Sequence, residues 1–215
     1  MFRFSSPTDE SVRALLGSAA ARSFTYDPVG QTRHDLASAP AGFRLRTFGC
    51  DLFVARTGDG SFASGDAQAL FEYAKERISR FGHYPRSIAR VVLGEGDFGP
   101  GLTFAAVAHH FGFASIHPGR IIDVIDEPDR FGFLFGTLPG HVMAGEERFL
   151  VTIDPPSGRV RYEIQSFSKP ADWFSSLGVL MIRRFQSRFG EASCEVMIQA
   201  CAAGVEGSPR DDSVR

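Results

Sequence analysis

No run of residues in this chain is both long and apolar enough to cross a membrane as a helix, which takes about 20 consecutive apolar positions. The opening segment, MFRFSSPTDE, also lacks the apolar core of a secretory signal. A soluble, cytoplasmic protein without stable membrane insertion is expected. Cysteine is scarce. Cys50, Cys194 and Cys201 form no CxxC pair, which argues against a disulfide framework or zinc knuckle and for free, packed thiols in a reducing compartment. Positive charge is not in surplus: 23 Lys and Arg against 25 Asp and Glu leave a net charge of −2. A nucleic-acid binder would carry a basic face, so no nucleic-acid partner is expected. The HxH and HExxH spacings of metal sites are missing, as is the GxSxG of a serine nucleophile. GEGDFGPG (residues 94–101) is dense in glycine, but it joins two strands and opens no helix, so it reads as a hairpin loop. No metal and no cofactor are expected. The sequence carries no signal of oligomeric state.

Phenylalanine is what the chain has in quantity, 21 against 4 Tyr and 1 Trp. Such side chains carry large apolar area without a polar handle, so most must be buried. The segment SPTDESVRALLGSAA starts a helix, with Ser6 as N-cap, Pro7 in the first turn and acids after it. Residues 24–42 then read as irregular connection, rich in Pro, Gly and small polar residues. FRLRTFGCDLFVART is a strand. In SGDAQALFEYAKERISRFG, Leu70, Phe71, Ala74, Ile78 and Phe81 recur at helical spacing, and Ser64 or Asp66 can cap it.

From there the apolar pattern switches to period two. RSIARVVLGEG, GLTFAAVAHHFG, GRIIDVIDEP, RFGFLFGTL, EERFLVTID and GRVRYEIQSFS are six strands with turn residues between them. A long amphipathic helix follows from Pro170, bearing Trp173, Phe174, Leu177, Met181, Phe185 and Phe189. Gly178 and Gly190 inside it permit a bend or a close approach. The chain shows no repeat and no low-complexity tract. It reads as one α+β domain over residues 1–203, with an N-terminal helical extension (about 1–40) and a disordered tail (204–215). An antiparallel sheet buries one face, and one apolar helix is left to cover it. The expected fold is a helix-grip: a curved antiparallel sheet wrapped around the long C-terminal helix, with a wedge between them.

FTYDPVGQTR, FGFASIHPGRIIDVID, RFGFLFGTLPGH, GEERFLVTID and IQSFSKP, in that order, resemble the DUF1990 (UPF0548) family over Phe24 to Phe189. That family is one of unknown function. The resemblance implies membership of the Bet v 1-like (START, SRPBCC) superfamily, a fold shared by lipid carriers, hormone receptors, polyketide cyclases and co-chaperones, and so constrains function only by analogy. One departure is SIHPGR, where His117 stands in place of the asparagine expected before the proline of a turn. No catalytic residue carries over.

Strand alternation sorts the side chains. Phe131, Phe133, Phe135 and Thr137 share a face of their strand, as do Glu147, Phe149, Val151 and Ile153. Tyr162, Ile164, Ser166 and Ser168 share another, and Leu102, Phe104, Ala106, Ala108 and His110 a fourth. The concave face is therefore aromatic with sparse polar groups, the composition of a small-molecule site. Phe104, Phe131, Phe133, Phe135, Thr137, Phe149 and Ser166, with Trp173, Leu177 and Met181 of the helix, are the expected ligand wall. His110 or His141 with Tyr162 or Glu147 is the expected acid–base pair if the site is catalytic. Each has a structural alternative: hydroxyls satisfied by backbone near strand ends, and Glu147 paired with Arg184. IRRFQSR on the last helix is a solvated face or a contact for an anionic group. Three functions fit: binding of an apolar or aromatic small molecule (a lipid or polyketide-like compound), acid–base cyclisation, dehydration or isomerisation in the same cavity, and a ligand-free interaction module.

Overall fold

The structure, a computed structural model, describes residues 2–3, 6–52, 64–110, 113–171 and 179–205. Its elements are β1 (Phe2–Arg3), α1 (Asp9–Ala19), β2 (Arg44–Leu52), α2 (Ser64–Ser79), β3 (Ala89–Leu93), β4 (Thr103–His110), β5 (Phe113–Glu127), β6 (Arg130–Thr137), β7 (Met143–Asp154), β8 (Arg159–Pro170) and α3 (Val179–Val205). Strands β3 to β8 are the six read from period-two alternation. They pair consecutively as an antiparallel meander, and β2 returns to pair with β8, giving the order β2-β8-β7-β6-β5-β4-β3. The short β1 pairs with β5 beside this path. Because β2 and β3 lie on opposite edges, α2, which connects them, must span the concave face. The helix-grip arrangement expected from the element order is the one observed.

The elements differ from the sequence reading at four places. Thr8, not Ser6, caps α1, its Oγ1 accepting from the Ser11 N–H at 3.3 Å. Lys169 and Pro170 finish β8, with Pro170 opposite Met143, so the long helix does not begin there. His117–Pro118 is not a turn: both lie within β5, opposite Ala106 and Ala105. Proline has no N–H to give a ladder, and at Pro118 the Leu138 N–H uses the carbonyl instead, at 3.1 Å.

The largest difference is on the convex face. Residues 24–42, read as irregular connection, form with Phe43 a strap across the outside of the sheet. Tyr26 and Phe167 pack there with Phe24, Leu36 and Phe43, while α1 covers β3 to β5 through Val12, Leu16, Val92, Val107 and Ile116. A Cβ on Gly136 would sit 2.5 Å from the Tyr26 hydroxyl and 2.6 Å from the Phe24 ring. That glycine admits the strap rather than bending the strand.

The strap is pinned by charge. Glu146 is buried and accepts from the Tyr26 hydroxyl (2.8 Å), the Gly30 N–H (2.7 Å), and both the N–H (2.6 Å) and hydroxyl (2.5 Å) of Thr32. Arg148, beside it, is fully buried and donates to the Thr32 carbonyl (3.1 Å), Asp35 (2.6 Å) and Glu163 (2.8 Å). By alternation with Glu147, Tyr162, Ile164 and Ser166, the side chains of Arg148, Glu163 and Gln165 fall on the outer side, and that side is covered.

Inside, the concave face is closed by three elements rather than one. Phe71, Ala74 and Ile78 of α2 enter the core. After α2, Phe81 adopts a left-handed backbone (φ 55°), and the turn drives Phe81, His83 and Tyr84 into the sheet. Phe133 packs on Phe81 (5.2 Å between ring centroids), Phe98 (5.6 Å) and Phe149 (5.3 Å). Helix α3 lies on the β2–β8 side, where a Cβ on Gly190 would meet the Phe48 ring at 2.5 Å. The aromatic wall of β6 therefore faces the α2 end and the β3–β4 loop more than the C-terminal helix.

Candidate functional site

Cross-strand register arranges the concave residues in rows. Phe48, Ile164, Phe149 and Phe133 form one, and Cys50, Tyr162, Val151 and Phe131 the next. Both are filled. The row nearer the β6–β7 turn reads Arg46, Ser166, Glu147 and Phe135 across β2, β8, β7 and β6. Over this row the packing stops, and a cavity of about 110 Å³ remains. Ala89, Ala106 and Ala108 on β3 and β4 line one side, and their short side chains leave the space. Phe48, Tyr84, Phe104, Phe185 and Phe189 supply aromatic walls; His117, His141, Val142, Met143 and Gln186 border the rest.

Glu147 is the carboxyl of this cavity. It lies deep in the protein yet keeps partial exposure, because the cavity reaches it. No hydrogen bond or ion pair engages it among the described residues, and Arg184, its expected partner, points to solvent from α3. Burial pushes its pKa up from the ordinary 4.5 to about 7. His141 accepts a hydrogen bond from the Met143 N–H at Nδ1 (2.9 Å), which fixes its proton on Nε2. Burial lowers its pKa to about 4, so it is a neutral N–H donor over most of the pH range. His117 sits against it, ring centroids 5.0 Å apart, with Nε2 at 2.7 Å from the Ser115 hydroxyl. A carboxyl titrating near neutrality, a neutral imidazole N–H and an aromatic surround can orient a polar group on an apolar ligand or exchange a proton with it.

Of the expected site residues, Glu147, His141, Ser166, Phe104 and Phe135 line the cavity. Phe131, Phe133 and Phe149 belong to the packed rows. Thr137 turns to the strap and the turn, its hydroxyl 2.6 Å from that of Thr25 and accepting from the Gly145 N–H at 3.0 Å. Tyr162 is not at the cavity: it is fully buried, its hydroxyl 2.9 Å from the Ser193 hydroxyl, which donates to the His83 carbonyl at 2.8 Å. Burial raises its pKa well above 10.0, which removes it from proton transfer near neutrality. That chain ties β8, α3 and the turn after α2 together. Tyr162→Phe is accordingly expected to lower stability by about 1 kcal/mol in thermal unfolding and to leave ligand binding in place. His110 lies at the end of β4, opposite Phe113; its side chain, like that of Met181, is outside the described residues, as are Trp173 and Leu177 altogether.

Sequence reading missed Arg46, His117, Tyr84 and Gln186. For the first two the signal was present, since Arg46 alternates with Phe48 and Cys50, and His117 with Ser115 and Ile121. For Tyr84 it was absent, because a turn has no period.

The family model described as a domain of unknown function, DUF1990, matches residues 25–196. A UPF0548 protein of Dictyostelium discoideum is 26% identical over 216 residues, covering 93% of this chain and 95% of that protein. A UPF0548 protein of Deinococcus radiodurans is 31% identical over 157 residues, 68% of this chain and 78% of that one. Among solved structures, a hypothetical protein from Helicobacter pylori is similar with a TM-score of 0.50 at 9% identity, over 74% of this chain and 86% of that chain. The likeness is one of fold. A looser similarity, with a TM-score of 0.46 at 12% identity, is to the Zhui aromatase/cyclase from Streptomyces, over 80% of this chain and 98% of that chain. Among the described residues no helix is long and apolar enough to cross a membrane. By the extent of the family match, which includes the strap, the sheet and most of α3, the chain belongs to the DUF1990 family.

Proposed function

We propose that the protein binds a compact apolar or aromatic small molecule in the cavity between the sheet and α3. The observation that carries this reading is the cavity itself: an apolar space of about 110 Å³ with few polar groups, bordered by alanines where larger side chains would close it. An apolar cavity of roughly 150 Å³ holds a benzene-sized molecule. The space therefore suits one ring or a short branched chain; a full lipid or polyketide would need α3 to move. Indole and 2-naphthol, at millimolar concentration, are expected to raise the melting temperature of the wild type. Ala106→Phe, which fills the space, is expected to abolish that rise. Absence of any shift, together with native mass spectra showing only the bare chain after purification from its own host, would sink the reading.

Glu147 favours a second reading, in which bound substrate exchanges a proton with its carboxyl during a cyclisation, dehydration or isomerisation. Its titration near neutrality, with no partner among the described residues, suits a general acid or base. Glu147→Gln would then abolish turnover while the thermal shift with ligand persists. No turnover by the wild type would leave binding as the function, and equal turnover by the two proteins would remove Glu147 from the chemistry.

A further inference from the structure

Three arginines converge at the mouth of the cavity. Arg44 and Arg46 project from the same face of β2, and Arg183 meets them from the first turns of α3. With Met143, Ser168, Pro170 and Gln186 they border a small hollow. Arg46, Met143 and Gln186 border the cavity as well, so the two spaces adjoin across these three side chains. Among the described residues no carboxylate pairs with any of the three, whereas Arg33, Arg90, Arg148 and Arg159 each have an acid: Asp123, Asp9, Asp35 and Asp51.

The arrangement is costly as it stands. Arg46 is held below its ordinary pKa by burial and by the charges of Arg44 and Arg183. It donates to the Ser187 hydroxyl at 2.8 Å through one terminal nitrogen, leaving the rest of the fork without a partner among the described residues. Like charges gathered without counter-charge disfavour the fold, and guanidinium forks match the two oxygens of a carboxylate or phosphate. An overall charge of −2 makes this local excess of positive charge the more specific.

We propose that the Arg44–Arg46–Arg183 mouth is the anion subsite of the cavity, so that the ligand is a compact amphiphile with a ring or short chain inside and a carboxylate or phosphate on the three arginines. This rests on the cavity-binding reading above and adds the chemical class of the ligand. Glu147 lies two strands further in along the same row as Arg46, separated from it by Ser166. The anionic end is thus directed outward, and the apolar end inward.

The test uses matched probes: 4-phenylbutyrate, its neutral amide, and inorganic phosphate, each at constant ionic strength set with KCl, followed by calorimetry and thermal shift. The wild type is expected to bind the carboxylate at least tenfold more tightly than the amide and to gain thermal stability with phosphate alone. In Arg46→Gln/Arg183→Gln the carboxylate-to-amide ratio should fall below about threefold and the phosphate effect should vanish. The same variant, relieved of repulsion, should melt no lower than wild type when no ligand is present. Carboxylate and amide binding equally would overturn the anion subsite while leaving the cavity reading intact. Phosphate stabilising the wild type with neither phenyl probe bound would keep the subsite and sink the cavity reading. No response to any probe overturns both. Phosphatidylglycerol vesicles form a separate arm: cosedimentation that depends on Arg46 and Arg183, without response to the soluble probes, would assign the arginines to a membrane surface and overturn the proposal.

Discussion

Glu147→Gln is expected to make the protein more stable at pH 8 and to change little at pH 5. The folded pKa of this carboxyl is about 7 against an ordinary 4.5, so between those values the folded chain holds a proton that the unfolded chain has lost. Stability from this group is complete below about pH 4.5 and is lost as pH rises through about 7. The gap amounts to roughly 3 kcal/mol, since each pH unit of separation is worth about 1.4 kcal/mol. For a chain of this size that is about 5–10 °C in melting temperature. The comparison must be between wild type and variant at each pH. His83 and His141, with pKa values lowered to about 3 and about 4 by burial, withdraw stability in the opposite direction, as pH falls below 6.5. Differential scanning calorimetry from pH 5 to 8 reads the difference directly. A variant that tracks wild type across that range would mean the carboxyl is solvated and the site ordinary. A stabilising substitution at a cavity carboxyl is also what a residue kept for function rather than folding should give.

The second large effect is expected on the other side of the sheet. Arg148→Ala leaves a void where a fully buried side chain stood, takes the donor from the Thr32 carbonyl, and removes the cation beside Glu146 and Glu163. Losing a fully buried side chain together with its charge-assisted hydrogen bonds costs about 3–5 kcal/mol, so a fall of about 10 °C in melting temperature is expected. The strap should loosen with it. Trypsin would then cleave at Arg33, which in the wild type is tied to Asp123 by an ion pair. A variant melting within 2 °C of wild type and uncut at Arg33 would show that the apolar contacts of Tyr26, Phe43 and Phe167 hold the strap alone.

These two residues, one position apart on β7, mark the limits of reading the chain unaided. Alternation assigned Glu147 to the inner face and Arg148 to the outer one, and both assignments hold. What alternation cannot supply is the identity of whatever covers each face. The strap over the outer face has no periodicity; its signature is a set of single contacts, Thr32 to Glu146 and Leu36 to Gln165. The inner face was assigned wholly to the C-terminal helix because that helix was the longest apolar element left. The turn Phe81–Tyr84 fills much of the space, with Phe81 in a left-handed backbone that no periodicity signals. Tyr162 shows the same limit: a hydroxyl on the concave face looked like chemistry, but Ser193 lay within its reach. The six strands were legible because each repeats one rule several times. The cavity was half legible, since its row of Glu147, Ser166 and Phe135 follows that rule and its histidine and arginine borders follow it only in part.

The return of β2 to β8 has a consequence in time. Leu36 meets Gln165 across 129 residues of chain, and Thr32 meets Glu146 across 114. Contacts this distant in sequence are slow to form because loop-closure entropy must be overcome first. On the ribosome, β2 emerges with an unpaired edge and keeps it until the final strand of the meander appears. The strap waits equally long for Glu146 and Arg148. Arg46 on the first long strand and Glu147 near the end of the meander become neighbours only at that closure. The cavity is among the last things this chain can make, so any lesion that delays β8 removes the cavity before it removes the sheet.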